Sequence, residues 1–180
     1  MSGHSKWSQI RHKKGIADQK KGRVFSKISK LISIAARKGS DPEKNMELKN
    51  AVEKARSLNM PKDNIERALK RVAEKDLAQL EELLIETVGP ESVNIIITAI
   101  TDNKNRTIGE IKNILSKHGV KMAQSGSIMW AFEKKNNDFV AKYPITIQDQ
   151  NNKNVLDKLF EELDNNEDVQ EIYTNENIRD

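Results

Sequence analysis

The sequence predicts an α+β fold, with an N-terminal three-helix domain followed by an α+β sandwich-like domain of ββαββαβ order. Three observations carry this reading. From residue 20 to about residue 75, apolar residues recur at three- and four-residue spacings, the period of an amphipathic helix. Beyond residue 80 the pattern turns to β-branched runs bounded by Gly, Pro and Asn, with two helical stretches between them. The composition, 180 residues with 36% hydrophobic and 32% charged, allows a core of one ordinary domain or two small ones. A mean hydropathy of −0.72 leaves no run suited to a membrane span. The absence of cysteine excludes a disulfide scaffold, a thiol nucleophile and thiolate-bound zinc or iron–sulfur centres.

Residues 1–19 form a basic N-terminal arm with little helical periodicity, expected to order on binding. The bundle domain is placed at 20–77. Its first helix carries Val24, Phe25, Ile28, Leu31, Ile32 and Ala35 on one face, with Lys20, Arg23, Lys27, Lys30 and Arg37 on another. Gly39 suits the end of that helix, and Asp41 with Pro42 suits an N-cap and first-turn proline for the next. The second helix would bury Leu48, Ala51, Val52, Ala55 and Leu58. A third starts at Pro61 with Ile65, Ala68, Leu69 and Val72 inward, supported by the i,i+4 pairs Asp63 with Arg67 and Glu66 with Lys70.

The α+β domain is placed at 78–180. Strands are expected at 83–88 and 92–101, the second rich enough in isoleucine (Ile95, Ile96, Ile97) to be covered on both faces. A helix at 106–118 packs through Ile108, Ile111, Ile114 and Leu115. Strands at 127–133 and 139–147 follow, then a helix holding Val155, Leu156, Leu159, Phe160 and Leu163, and a short strand at 169–173. The helices are expected on one face of the sheet.

Charge is separated along the chain. Residues 1–40 hold 11 Lys and Arg against one acid, Asp18, a net of +10. Residues 41–132 are neutral, and residues 133–180 carry −6, which together give the overall +4. A basic leading end suits a protein that meets a polyanion there. Residues 1–14 have no apolar stretch of a secretory signal, so the segment is read as mature sequence and the protein as cytoplasmic.

The candidate nucleic-acid-binding set is His4, Lys6, Trp7, Arg11, His12, Lys13, Lys14, Lys20, Lys21, Arg23, Lys27 and Lys30. Lys and Arg contact phosphate oxygens and release condensed counterions, giving affinity without sequence choice. Trp7 either stacks on an unpaired base or anchors the arm on the bundle. His4 and His12 lack nearby acidic or thiol ligands, so neither a metal nor a cofactor is expected. No nucleophile, base and orienting group fall together, and the chain is read as non-enzymatic. Glu81, Glu82, Glu161 and Glu162 look like solvated charges. His118, in the last turn of its helix, is explained by the helix dipole. The polar segment from Thr101 to Thr107 either holds a phosphate at a helix start or, as the residues favour, forms a side-chain-capped turn.

Several short stretches resemble the YebC/PmpR family: Ser2-Gly3-His4-Ser5-Lys6-Trp7, Asp18, Phe25-Ser26-Lys27, Ala36-Arg37-Lys38-Gly39, Asp41-Pro42, Asn59-Met60-Pro61, Thr101-Asp102-Asn103, Asn105-Arg106-Thr107 and Gly126-Ser127. The resemblance implies a helical N-terminal domain and an α+β domain interrupted by a ferredoxin-like third domain. Here Phe132-Glu133 leads through residues 134–138 directly into Phe139-Val140, so the third domain is expected to be missing, and with it any family function that depends on it. Glu91-Ser92 replace glycine in the family's turn after Gly89-Pro90, where a looser loop is expected.

The resemblance also implies a DNA-binding transcriptional regulator. The alternative is a translation factor acting on the ribosome through ribosomal RNA, with relief of stalling at proline-rich stretches as a role proposed for relatives. A second alternative is a protein-interaction module. No row of Arg, Asn and Gln at base-reading spacing stands out, so the residues alone lean slightly to RNA. The expected partners are nucleic acid and the ribosome, with no membrane. The acidic last helix (Asp157, Glu161, Glu162, Asp164) would set orientation by repulsion.

Overall fold

The N-terminal periodicity is realised as α1 (Asp18–Ala36), α2 (Met46–Ser57) and α3 (Lys62–Lys70) in a computed structural model. It describes residues 18–71 and 80–177, and side chains from Lys21 onward within them. Two compact units result. One holds α1 to α3 through Glu82 together with Ile100–Lys104; the other holds Leu83–Ala99 and the described chain from Asn105.

In the helical unit, Val24, Ile28, Ile32 and Ala35 of α1 are buried, as are Leu48, Ala51, Val52 and Ala55 of α2 and Ile65 and Ala68 of α3. The Ser33 hydroxyl donates to the Ala68 carbonyl at 3.3 Å and joins α1 to α3. The second helix does not begin at Asp41-Pro42. Those residues form a turn in which Asp41 accepts from the Glu43 N–H, and the N-cap is Asn45. Asn45 accepts from the Leu48 N–H and donates to the carbonyls of Ala35 (2.7 Å) and Gly39 (2.8 Å). One amide therefore caps α2 and closes the end of α1, a double role that outweighs the generic cap signal four residues earlier. Asn59, at φ 57, ends α2 in the left-handed region, with the Met60 N–H reaching back to Ala55.

The second unit contains β1 (Glu81–Val88), β2 (Asn94–Thr101), α4 (Lys104–Lys117), β3 (Lys121–Met122), β4 (Phe132–Lys135), β5 (Asp138–Ala141), α5 (Gln150–Asp164) and β6 (Val169–Thr174), several of whose ends reach across the unit boundary. The main sheet runs β3-β1-β2-β6, and β4-β5 is a separate hairpin. The β2/β6 register pairs Ile95 with Thr174, Ile96 with Tyr173 and Ile97 with Ile172. Alternation then sends Ile95 and Ile97 to one face, against Ile111 and Leu115 of α4 and Leu156, Leu159, Phe160 and Leu163 of α5. Ile96 and Tyr173 point to the other face, against Ile128, Ala131, Phe132 and Phe139. The α+β class, the single helical layer and the doubly covered isoleucine strand are as the sequence predicts.

Three expectations are corrected. First, the edge strand β3 adds an element to the order. Second, residues 127–133 are not one strand. The buried Glu86 carboxylate of β1 accepts the N–H groups of Gly126 and Ile128, drawing the chain into a loop and a 3₁₀ turn at Met129–Ala131, and β4 begins only at Phe132. Third, β5 stops at Ala141. Pro144 has no N–H for a ladder, and Ile145 instead donates to the Asn175 carbonyl and bridges Glu176 in parallel.

The turn after Gly89-Pro90 is also not loose. Glu91 and Ser92 adopt φ 52 and 63, and the Glu91 carboxylate accepts from the N–H groups of Gln148 (2.9 Å) and Asp149 (3.0 Å) and from Asn152 Nδ2 (3.0 Å). It thus neutralises donors at the start of α5.

Candidate nucleic-acid interface

Of the predicted binding set, His4, Lys6, Trp7, Arg11, His12, Lys13 and Lys14 lie outside the described residues, as does the side chain of Lys20. The remaining four sit on α1. Lys21 and Arg23 are exposed, Lys30 is half-buried, and Lys27 is only 5% exposed. The cationic stripe is therefore not continuous along the helix. Near its C-terminal end, α1 is covered on an additional flank, because Ile34 packs with Leu80 and Ile100 in a cluster apart from the α2 and α3 contacts. Arg37, also assigned to the stripe, is exposed but donates through Nη1 to the Leu80 carbonyl at 2.8 Å. Beside it, Lys38 pairs with Glu47 at 2.8 Å, and this hydrogen bond holds its ammonium above the ordinary lysine value.

The polar segment after β2 is used internally. The Thr101 hydroxyl accepts from the Asn103 N–H at 2.9 Å, the side-chain-capped turn that the residues favour. Arg106 and Thr107 both reach Asp168, a 3% exposed carboxylate before β6, at 2.9 and 2.6 Å. The segment's polar groups thereby tie the start of α4 to the approach to β6.

His118 has more than a helix dipole to explain it: its Nε2 lies 2.9 Å from a Glu162 oxygen, and Lys117 donates to the other oxygen at 2.7 Å. Lys117 first and His118 second hold the Glu162 carboxyl below the ordinary carboxylate range. Glu162 is thus a half-exposed charge that is paired rather than free, and the acidic face of α5 is partly compensated. Among the described residues no group of three or more His, Asp or Glu is placed to hold a metal ion, and no helix is long and apolar enough to cross a membrane.

A further surface escapes a reading based on charge. Trp130 and Tyr143 are 60% and 59% exposed, with ring centroids 5.8 Å apart and planes tilted by 40°. A backbone hydrogen bond from the Lys142 N–H to the Ala131 carbonyl, 2.8 Å, joins the two segments that carry them. The signal available in the sequence is weak: Trp130 lies in the apolar run from Ile128 to Phe132 and reads as core, while Tyr143 stands between Lys142 and Pro144, and the irregular path of both stretches depends on Glu86 and Pro144.

Residues 5–75 match the family model described as "TACO1/YebC protein N-terminal domain", and residues 80–137 match "TACO1/YebC second and third domain". The second match ends in the turn between β4 and β5. There Lys135 pairs with Asp138 across Asn136 and Asn137, with Asn136 at φ 57. A protein of Dictyoglomus turgidum named "Probable transcriptional regulatory protein" is 43% identical over 176 residues, 97% of this chain and 71% of the relative. One of the same name from Petrotoga mobilis is 43% identical over 97% of this chain and 70% of its own length. A similarly named Geobacter sulfurreducens protein is 48% identical over 137 residues, 75% of this chain and 56% of the relative. The crystal structure of a conserved hypothetical protein from Aquifex aeolicus superposes with a TM-score of 0.84 at 27% identity, covering 98% of both chains.

Proposed function

This chain belongs to the TACO1/YebC family, and from that premise we propose that it is a non-enzymatic, nucleic-acid-binding regulator of gene expression, acting on DNA as a transcriptional regulator. The observation that carries the reading is the 11 Lys and Arg against one acid in the first forty residues. Exposed Lys21 and Arg23 extend that charge onto α1, and the relatives' names support a regulatory role. In this reading residues 1–19 and the start of α1 grip phosphates, residues 20–77 mount them, and residues 78–180 position the protein on its target in the cytoplasm.

A second reading, a translation factor on ribosomal RNA, is favoured by the chemistry of the exposed α1 cations. Lys21 and Arg23 suit phosphate contact, and no row of Arg, Asn and Gln at base-reading spacing accompanies them.

Competition binding to duplex DNA, structured RNA and intact ribosomes tests both. With about six to ten phosphate contacts, affinity falls roughly 10³- to 10⁵-fold between about 50 and 200 mM salt. A flat salt response would favour a protein-interaction module instead. Preference for duplex DNA supports the transcriptional reading, and preference for RNA or ribosomes the translational one.

A further inference from the structure

We propose that Trp130 and Tyr143, with Lys142, form a second contact surface that stacks on an unpaired base of single-stranded nucleic acid. The inference extends the nucleic-acid reading above to a site in the α+β unit, remote in sequence from the basic arm.

The chain has eight aromatic residues of the Phe, Trp and Tyr types, and such side chains ordinarily contribute their large area to a core. Phe139 and Tyr173 do so, packing edge to face with centroids 5.3 Å apart. Trp130 and Tyr143 instead leave well over half of their surfaces in water while touching each other. Their position is built rather than incidental. The Glu86 carboxylate, only 4% exposed, fixes the loop before Trp130 through Gly126 and Ile128. The Asn175 amide donates to the Tyr143 carbonyl at 3.0 Å, and the Lys142 N–H closes on Ala131. The backbone on both sides of the pair is therefore anchored, so that a ligand has side-chain rotamers rather than chain path left to order.

The surrounding charge favours a polyanion. Between residues 129 and 144 the acids are Glu133 and Asp138. Glu133 is engaged by Lys135 at 3.2 Å, and Asp138 accepts from the Tyr173 hydroxyl at 2.9 Å. Lys134 and Lys142 are exposed and have no ion-pair partner among the described residues. An aromatic pair with Lys142 next to Tyr143 in the chain and Lys134 in the adjoining hairpin, neither ion-paired among the described residues, fits a base stacked on a ring with its phosphate beside a lysine. Beyond Met129 and Pro144 the neighbouring hairpin offers Glu133, Lys134 and Lys135, a more charged surround than the core of a protein interface has.

The test uses the full chain and fluorescently labelled oligonucleotides: a mixed-sequence single-stranded RNA, the matching single-stranded DNA, and a duplex of equal length. Trp130→Ala with Tyr143→Ala should weaken single-strand binding about five- to 150-fold and leave duplex binding nearly unchanged. Trp130→Phe, which keeps a ring, should recover most of the single-strand affinity, whereas Trp130→Leu, which keeps only bulk, should not. Equal recovery by Leu, or single-strand affinity unaltered by the double substitution, overturns the stacking surface while leaving phosphate binding by the arm intact. Failure of the parent chain to bind any of the oligonucleotides overturns both readings. Retention of oligonucleotide affinity together with loss of a protein partner in the double variant assigns the pair to protein docking and also overturns the proposal.

Discussion

The first forty residues carry 11 Lys and Arg against a single acid of their own, although Lys38 pairs with Glu47 and Arg37 with the Leu80 carbonyl, whereas buried carboxylates of the α+β unit close on identifiable donors: Glu86 on two backbone N–H groups, Asp168 on Arg106 and Thr107. Glu91, although exposed, does the same at the start of α5. Excess charge of one sign costs a folded chain self-repulsion and contributes little to its core, so it is best explained by a partner of opposite sign. Paired buried charge instead fixes where loops run. Charge in this protein thus has two uses, and substitutions should separate them, with stability responding in one region and binding in the other.

The largest stability effect is expected at Glu86. Glu86→Ala leaves the Gly126 and Ile128 N–H groups without their acceptor, and urea denaturation should show a loss of about 3 kcal/mol. A loss under about 1 kcal/mol would mean that the loop holds without the carboxylate. Next comes Gly89, where an added Cβ would lie 3.1 Å from Leu156 Cδ2 and 3.3 Å from Ile95 Cδ1. Gly89→Ala should cost about 1–2 kcal/mol by crowding the core, and an unchanged denaturation midpoint would count against that packing. Smaller and opposite in sign, Ser92→Gly should stabilise by about 0.5–1 kcal/mol, because Ser92 sits at φ 63, where glycine has no Cβ penalty. Destabilisation there would show that the Ser92 side chain contributes more than its backbone strain costs.

The smallest effect concerns acid. Glu91 is held below its ordinary 4.5, first by Asn152 and then by the N–H groups of Gln148 and Asp149, and Glu162 is held below the same value by Lys117 and His118. A carboxyl with a depressed folded-state value stabilises fully above its unfolded value, and that stability is lost as pH falls toward the folded one. Glu91→Gln and Glu162→Gln should therefore lower stability at neutral pH and reduce the further drop on acidification to about pH 3. An undiminished drop would remove both groups from the acid response.

Local rules foresaw much of this architecture. The three helices, the isoleucine-rich β2 and the apolar face of α5 follow from short-range periodicity, which survives in the folded protein because one face of each element meets one core. What escaped was set by distant residues. The loop before Trp130 bends toward Glu86, some forty positions earlier, and the path after Ala141 is decided by Asn175. Asn45 prevailed over Asp41 as a cap because it also reaches the end of α1. Lys27 reads as part of a cationic stripe on a helical wheel, yet it is buried, and no count along α1 alone announces that. Of the candidate interface, charge was readable and the exposed aromatic pair was not, since exposure depends on the fold around it.

The most direct measurement is the salt dependence of nucleic-acid affinity for the full chain and for its Lys13→Glu, Lys14→Glu variant. The account predicts weaker binding to every nucleic acid that the parent binds, with the slope of log affinity against log salt flattened by about two. An unchanged affinity and slope would contradict it.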